Sequence, residues 1–152
     1  MDTLDVRAST ARPLRADARQ NYLRLLEAAT EAIGEQGPSV SLEDVAKRAG
    51  VGIGTLYRHF PNRQALLEAV YRDQVMALSA GARELSATMA PSGALTRWLH
   101  ALLTYNLTMR GLKEALMAGE VSPQFSECKE KMHEVCGELL ARARALLEAV
   151  AV

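Results

Sequence analysis

The sequence predicts an all-α protein, and three observations carry that expectation. Apolar residues recur at helical spacing in segment after segment. No apolar–polar alternation lasts more than a few residues. Ala, Leu, Arg and Glu dominate, while aromatic residues make up only 5% of the chain. With 152 residues, 49% of them apolar, the chain has about one domain's worth of core and is not a charge-dominated disordered sequence. Lys and Arg number 18, as do Asp and Glu, so the zero net charge neither demands nor forbids a polyanionic partner. No run approaches the ~18 apolar residues of a membrane span. The opening MDTLDVRAST carries acids and no apolar stretch, so no secretory signal is expected. Two cysteines make no disulfide framework. These features point to a cytoplasmic protein without a membrane partner.

The elements follow in order. Residues 1–17 are expected to be a flexible tail carrying Arg7, Arg12 and Arg15, with order beginning near Asp17. Tyr22, Leu25, Leu26, Ala29 and Ile33 then form a helical stripe, closed by Gly34 and Gly37-Pro38. Ser41 opens a second helix with Asp44 at capping-box spacing, and Gly50 stops it after about two and a half turns. A third short helix covers 52–60, ended by Pro61. Asn62 caps a fourth, on which Leu67, Val70, Tyr71 and Leu78 keep helical spacing to about Ala80. Ala90-Pro91-Ser92-Gly93 is a break. Beyond it come helices over about 94–110 and 112–118. Ser122-Pro123 then starts a long helix to the C-terminus.

The segment SLEDVAKRAGVGIGTLYRHF, residues 41–60, sets two short helices either side of a tight Gly50-Val51 turn, the arrangement of a helix-turn-helix. Gly50 suits the positive φ of a helix C-terminus, and Ala46 is small where the second helix must come close. On a helical wheel Leu56 and Phe60 coincide and must face inward. The opposite arc carries Gly54, Thr55 and Arg58, with Tyr57 and His59 at its edges. Small residues let a helix approach base edges in the major groove, and the flanking donors reach phosphates. Between 45 and 63 there are four cations, Lys47, Arg48, Arg58 and Arg63, and no acid. The neutral whole thus hides a local basic face.

At these residues, and over about 18–80 as a whole, the chain resembles the TetR family of transcriptional regulators. The resemblance rests on AGVGIGTLYRHFPNRQALLEAV, in particular Gly54-Thr55, Leu56-Tyr57, His59-Phe60 and a basic residue two after Pro61. It implies a three-helix DNA-binding domain over 18–80, with its helix-turn-helix at 41–60, and a helical effector and dimerisation domain over 81–152. By the resemblance Thr55, Tyr57, His59 and Arg63 contact the phosphate backbone of double-stranded DNA. Ile53, Gly54 and Arg58 lie nearest the bases, and Lys47 and Gly52 border the site. Arg58 is the choice for direct readout of a guanine, worth roughly 1–3 kcal/mol of discrimination. Gly52 stands where the family often has Ser, and Arg63 where Lys is common.

Other signals are weaker. Gly50-Val-Gly52-Ile-Gly54 lacks the spacing, the preceding strand and the Gly-Lys-Ser/Thr of phosphate loops. Tyr57 and His59, at i and i+2, point apart on a helix and make no catalytic pair. No enzyme, cofactor or metal site is expected. Cys128, Met132 and Cys136 recur every four residues, but Phe125, Val135 and Leu139 share their stripe, so it reads as a core face rather than a soft-metal or redox site. The two cysteines stand about 12 Å apart along one helix, too far to bridge. Arg7, Arg12 and Arg15 could serve as a minor-groove arm.

The family logic also implies a homodimer on a palindromic operator and a pocket for a small hydrophobic effector. Trp98, Leu102, Tyr105, Met109, Leu116, Met117, Phe125 and Met132 are the lining candidates, and His100, Asn106 and His133 the polar groups that would orient a ligand. After the fourth helix only three more are expected, against the usual five, which reads as a shortened dimerisation region. The alternative reading is accordingly a helical small-molecule-binding or interaction protein with impaired DNA binding.

Overall fold

The computed structural model describes the backbone of residues 6–150 and the side chains of residues 14–150. Over that range it contains seven α-helices and no strand. They are α1 (Val6–Gln36), α2 (Leu42–Ala49), α3 (Ile53–His59), α4 (Arg63–Thr88), α5 (Pro91–Thr108), α6 (Leu112–Met117) and α7 (Pro123–Val150). The chain divides into two compact units, residues 1–66 and 67–152. The division falls near the start of α4, which runs on from it to Thr88.

In the first unit α1 buries Leu25, Ala29, Ala32 and Ile33, and α2 buries Leu42, Val45, Ala46 and Ala49 at i, i+3, i+4 and i+7. Helix α1 starts at Val6, earlier than the expected Asp17. Residues 6–17 are rich in helix-favouring Ala, Arg and Leu but carry no apolar stripe to reveal a helix. The tail expectation for residues 1–5, and the side chains of Arg7 and Arg12, lie outside the described residues. Arg15 is exposed.

At the start of α2 the Ser41 hydroxyl accepts the Asp44 N–H at 3.2 Å and donates to the Glu43 carboxylate at 2.9 Å. Only half of the expected capping box forms, since the Asp44 carboxylate turns to Arg48. Gly50 (φ 64°, ψ 35°) closes the helix. Its N–H reaches the Lys47 carbonyl at 3.1 Å, and the Val51 N–H reaches Ala46 at 3.0 Å. These two bonds form a Schellman motif, which requires the left-handed residue that glycine supplies.

In the second unit α4 runs on past Ala80 and through Gly81. Ala82, buried next in line, belongs to a core with Ala94, Trp98, Val135 and Leu139. Trp98 is 1% exposed, and its indole Nε1 donates to the Leu78 carbonyl at 3.0 Å. Tyr71 packs on Phe125 with ring centroids 4.8 Å apart. Pro91 occupies the first turn of α5, where its missing N–H costs nothing. On α7 Phe125, Cys128, Val135 and Leu139 are buried and Met132 and Cys136 half-buried, so the cysteine stripe is a core face. Among the described residues no helix is long and apolar enough to cross a membrane.

Candidate functional site

Two sites emerge, one in each unit. The first is the outward face of α3. Leu56 is fully buried and Phe60 nearly so, and together they fix which way this seven-residue helix faces. Phe60 lies against Tyr22 of α1 at a centroid distance of 5.3 Å, and Tyr22 meets the His59 ring edge-on at 5.9 Å. Tyr22 therefore anchors the C-terminal end of α3, a role its place in the α1 stripe did not reveal.

Most of the residues expected at a DNA surface are exposed. Lys47, Gly52, Ile53, Gly54, Tyr57, Arg58 and Arg63 are exposed, and Thr55 and His59 are half-buried. A Cβ added at Gly52 or at Gly54 would meet nothing within 4 Å. The start of α3 thus has open space at both glycines, with the exposed Ile53 side chain between them.

The cations do not contribute equally. Arg48 pairs with Glu35 of α1 at 2.8 Å and with Asp44 at 3.0 Å, and both bonds raise its pKa above the ordinary value. Its charge is matched twice, so Arg48 adds less to the expected basic face than its place among the four cations suggests. Glu35 lies thirteen residues upstream and only the fold delivers it. Arg63 donates through Nη1 to the carbonyls of Pro38 (3.1 Å) and Val40. Its remaining N–H groups stay available, since guanidinium carries five donors. Lys47 and Arg58 make no ion pair among the described residues.

The second site is a cavity of about 220 Å³ in residues 67–152. Helix α5 supplies Leu102, Tyr105 and Asn106, and its C-cap residue Met109 follows at the next i+7 position. Helix α7 supplies Lys129, Met132 and His133, and Tyr71 comes from α4. The α5–α6 turn, with Gly111 at φ 83°, brings in Arg110, and α6 supplies Lys113 and Glu114. Burial pushes the pKa of the Tyr105 phenol well above the ordinary value, with the nearby Tyr71 adding to the shift. Burial does the same to Tyr71, with Cys128 as the second cause.

Four of the expected lining residues, Leu102, Tyr105, Met109 and Met132, do line this cavity, as do Asn106 and His133. Trp98, Leu116, Met117, Phe125 and His100 do not. Trp98 and Phe125 are consumed by packing against α4, Leu116 is fully buried, and Met117 is 59% exposed. The cations Arg110, Lys113 and Lys129 were missed, because exposed charges on three different segments give no common signal in sequence.

Comparison with known proteins bears on both units. A family model described as bacterial regulatory proteins of the tetR family matches residues 25–70, and one described as the SbtR-like transcriptional regulator C-terminal domain matches 90–146. The crystal structure of a TetR transcription regulatory protein from Mycobacterium vanbaalenii is 37% identical. It aligns over 88% of this chain and 81% of its own, with a TM-score of 0.75.

The chain belongs to the TetR family.

A second member of the family, SCO0520 from Streptomyces coelicolor, is 34% identical over 82% of this chain and 73% of its own, with a TM-score of 0.65. HTH-type transcriptional regulators of Staphylococcus aureus strains USA300 and NCTC 8325 are 41% identical over 54 residues. That match spans 35% of this chain and 29% of the length of those regulators. The resemblance to TetR proteins thus extends beyond the helix-turn-helix into the second unit.

Proposed function

We propose that this TetR-family chain is a sequence-specific DNA-binding transcription regulator. It acts in the cytoplasm as a dimer on a palindromic operator, represses, and is released when a small molecule occupies the cavity of its second unit. Its role is binding rather than catalysis. The observation that carries the reading is the α3 face, where a buried Leu56 turns Gly54 and Arg58 outward beside open space at Gly52 and Gly54. Ile53, Gly54 and Arg58 read base edges. Lys47, Thr55, Tyr57, His59 and Arg63 hold phosphates, and Gly52 lets the turn approach the backbone.

A dimer places two copies of α3 about 34 Å apart, matching successive turns of the major groove. Exposed apolar stripes support pairing. Leu99, Leu103 and Leu107 recur every four residues on α5, and Leu140, Leu147 and Val150 share a face of α7. The effector acts by favouring a conformer whose α3 spacing no longer fits the groove. Helix α4, which begins in the first unit and runs through the second, is the element that couples them.

The test is enrichment of sheared genomic DNA on the purified protein at near-physiological salt, followed by sequencing, with Arg58→Ala alongside. Recovery of two-fold symmetric sites by the wild type and their loss in the variant is the expected result. Identical, sequence-independent recovery by both proteins would overturn the reading.

A further inference from the structure

The cavity of the second unit is apolar in its depth and cationic at its rim. Tyr71 and Met109 are buried, and Leu102, Tyr105 and Met132 are half-buried. Around them stand Arg110, Lys113 and Lys129, all exposed, with Glu114 the single carboxylate of the lining. None of the three cations forms an ion pair among the described residues. An apolar ligand accounts for the depth but leaves this cationic surplus without purpose.

The phenols add a second independent feature. Neither the Tyr71 nor the Tyr105 hydroxyl has a protein hydrogen-bond partner among the described residues, although both line the cavity. Their pKa values are raised, so both hydroxyls stay protonated donors at neutral pH. Asn106 spends one N–H of its side-chain amide on the Leu102 carbonyl at 2.8 Å and keeps the other. The donors at hand come from the phenols, the three cations, His133 and the remaining Asn106 N–H, and together they suit an acceptor-rich group.

We propose that the effector is a compact organic carboxylate, with an apolar aromatic or short aliphatic body lodged among Leu102, Tyr105, Met109 and Met132 and its carboxylate held by Arg110 and Lys129. This rests on reading the cavity as the effector site and fixes the chemical class of its occupant. Arg110 offers a planar fork for two parallel bonds to a carboxylate, and Lys129 a point charge beside it. A volume of about 220 Å³ is below the roughly 300–1,000 Å³ of pockets for drug-sized ligands, hence a compact acid. Thioether and phenol walls favour an aromatic body through sulfur–ring and ring–ring contact.

The experiment is calorimetric titration of the full chain with benzoate and hexanoate, each beside its neutral amide, benzamide or hexanamide, and with inorganic phosphate. The acids are expected to bind at least about tenfold more tightly than their amides, with benzoate ahead of hexanoate and phosphate unbound. In Arg110→Gln/Lys129→Gln the preference for acid over amide should vanish while amide binding persists. Both positions are exposed, so folding is not at stake, and equal melting curves check this. Met132→Trp, which fills the cavity, should abolish binding of acid and amide alike.

Equal binding of acids and amides would overturn the proposal. So would acid binding that survives the double substitution, phosphate binding as tight as benzoate, or no acid binding with Kd below about 10 mM. Anisotropy of an enriched DNA site, read in the same titration, separates the two readings. Acid binding that leaves DNA affinity unchanged confirms the ligand class and refutes the effector role.

Discussion

The Glu68 carboxylate accepts both the N–H and the hydroxyl of Ser122, fifty-four residues away, the former at 3.1 Å. Ser122 in turn offers its oxygen to the Phe125 N–H at the start of α7. One carboxylate on α4 thereby fixes the starting point of α7, and with it the helix that carries Lys129, Met132 and His133. An anionic group at a helix start also complements the positive end of the helix dipole.

Removing that carboxylate should therefore loosen the second unit. Glu68→Ala leaves two donors without an acceptor and is expected to lower stability by about 1–3 kcal/mol. Ser122→Ala should cost less on its own, and the double variant less than the sum of the two, as expected for directly bonded partners. Thermal denaturation of the four proteins gives the coupling. A strictly additive pair would show that the bond contributes nothing.

Gly54 separates stability from recognition. It lies inside α3 with open space where a Cβ would stand, so Gly54→Ala should stabilise the protein by about 0.5–1 kcal/mol. The same methyl group would project into the groove and weaken specific DNA binding. Gly52 caps the same helix with no side-chain hydrogen bond, at an ordinary φ of −64°. Gly52→Ser should add a few tenths of a kcal/mol and leave DNA binding equal or stronger. Melting and binding curves for both variants check the opposed signs.

Arg58 and Arg48 are both arginines of the helix-turn-helix, yet they should behave differently. Arg58→Ala is expected to cost about 1–3 kcal/mol of binding and relax the sequence preference at one position. Lys47→Ala should weaken binding to all sequences alike and lower the salt slope by about 1. Arg48, already held by Glu35 and Asp44, should leave both quantities unchanged on replacement by Ala. A salt slope that falls as far for Arg48→Ala as for Lys47→Ala would contradict the assignment.

Alkaline stability follows from the half-buried Tyr105 and buried Tyr71 phenols. The folded pKa of Tyr105 lies above its ordinary value of 10.0, so the folded state holds that proton more tightly than the unfolded chain. The stabilisation is fully present below pH 10 and is lost as pH rises beyond it. The midpoint of thermal unfolding should fall between about pH 10 and 12, and less steeply in Tyr105→Phe. Tyr71 adds to the same slope in the same direction.

Much of the fold could be read locally because short-range rules govern it. Gly50 fixes the turn of the helix-turn-helix through its backbone alone, and Leu56 and Phe60 declare the inner face of α3 by their spacing. Ser122-Pro123 marks a helix start by the chemistry of the first turn, whereas α5 begins at Pro91, inside the stretch expected to be a break. The fourth helix, expected to keep its spacing only to about Ala80, runs on to Thr88. It continues through Gly81 because Ala82 beyond it packs into a core with Trp98, and that gain outweighs the weakness of one glycine.

The sequence by itself determined the helical class, the helix-turn-helix and the residues on its outer face, since capping, periodicity and glycine conformations act within a few residues. Tertiary structure alone decided which charges are spent and which remain free. Glu35 reaches Arg48 across thirteen residues, and the loop carbonyls of Pro38 and Val40 reach Arg63 across more than twenty. It also decided that Trp98 belongs to the core, and that Arg110, Lys113 and Lys129 line the same cavity as Tyr105. Such groupings depend on how helices distant in sequence pack, and Coulomb and dispersion forces act through space, without regard to position along the chain.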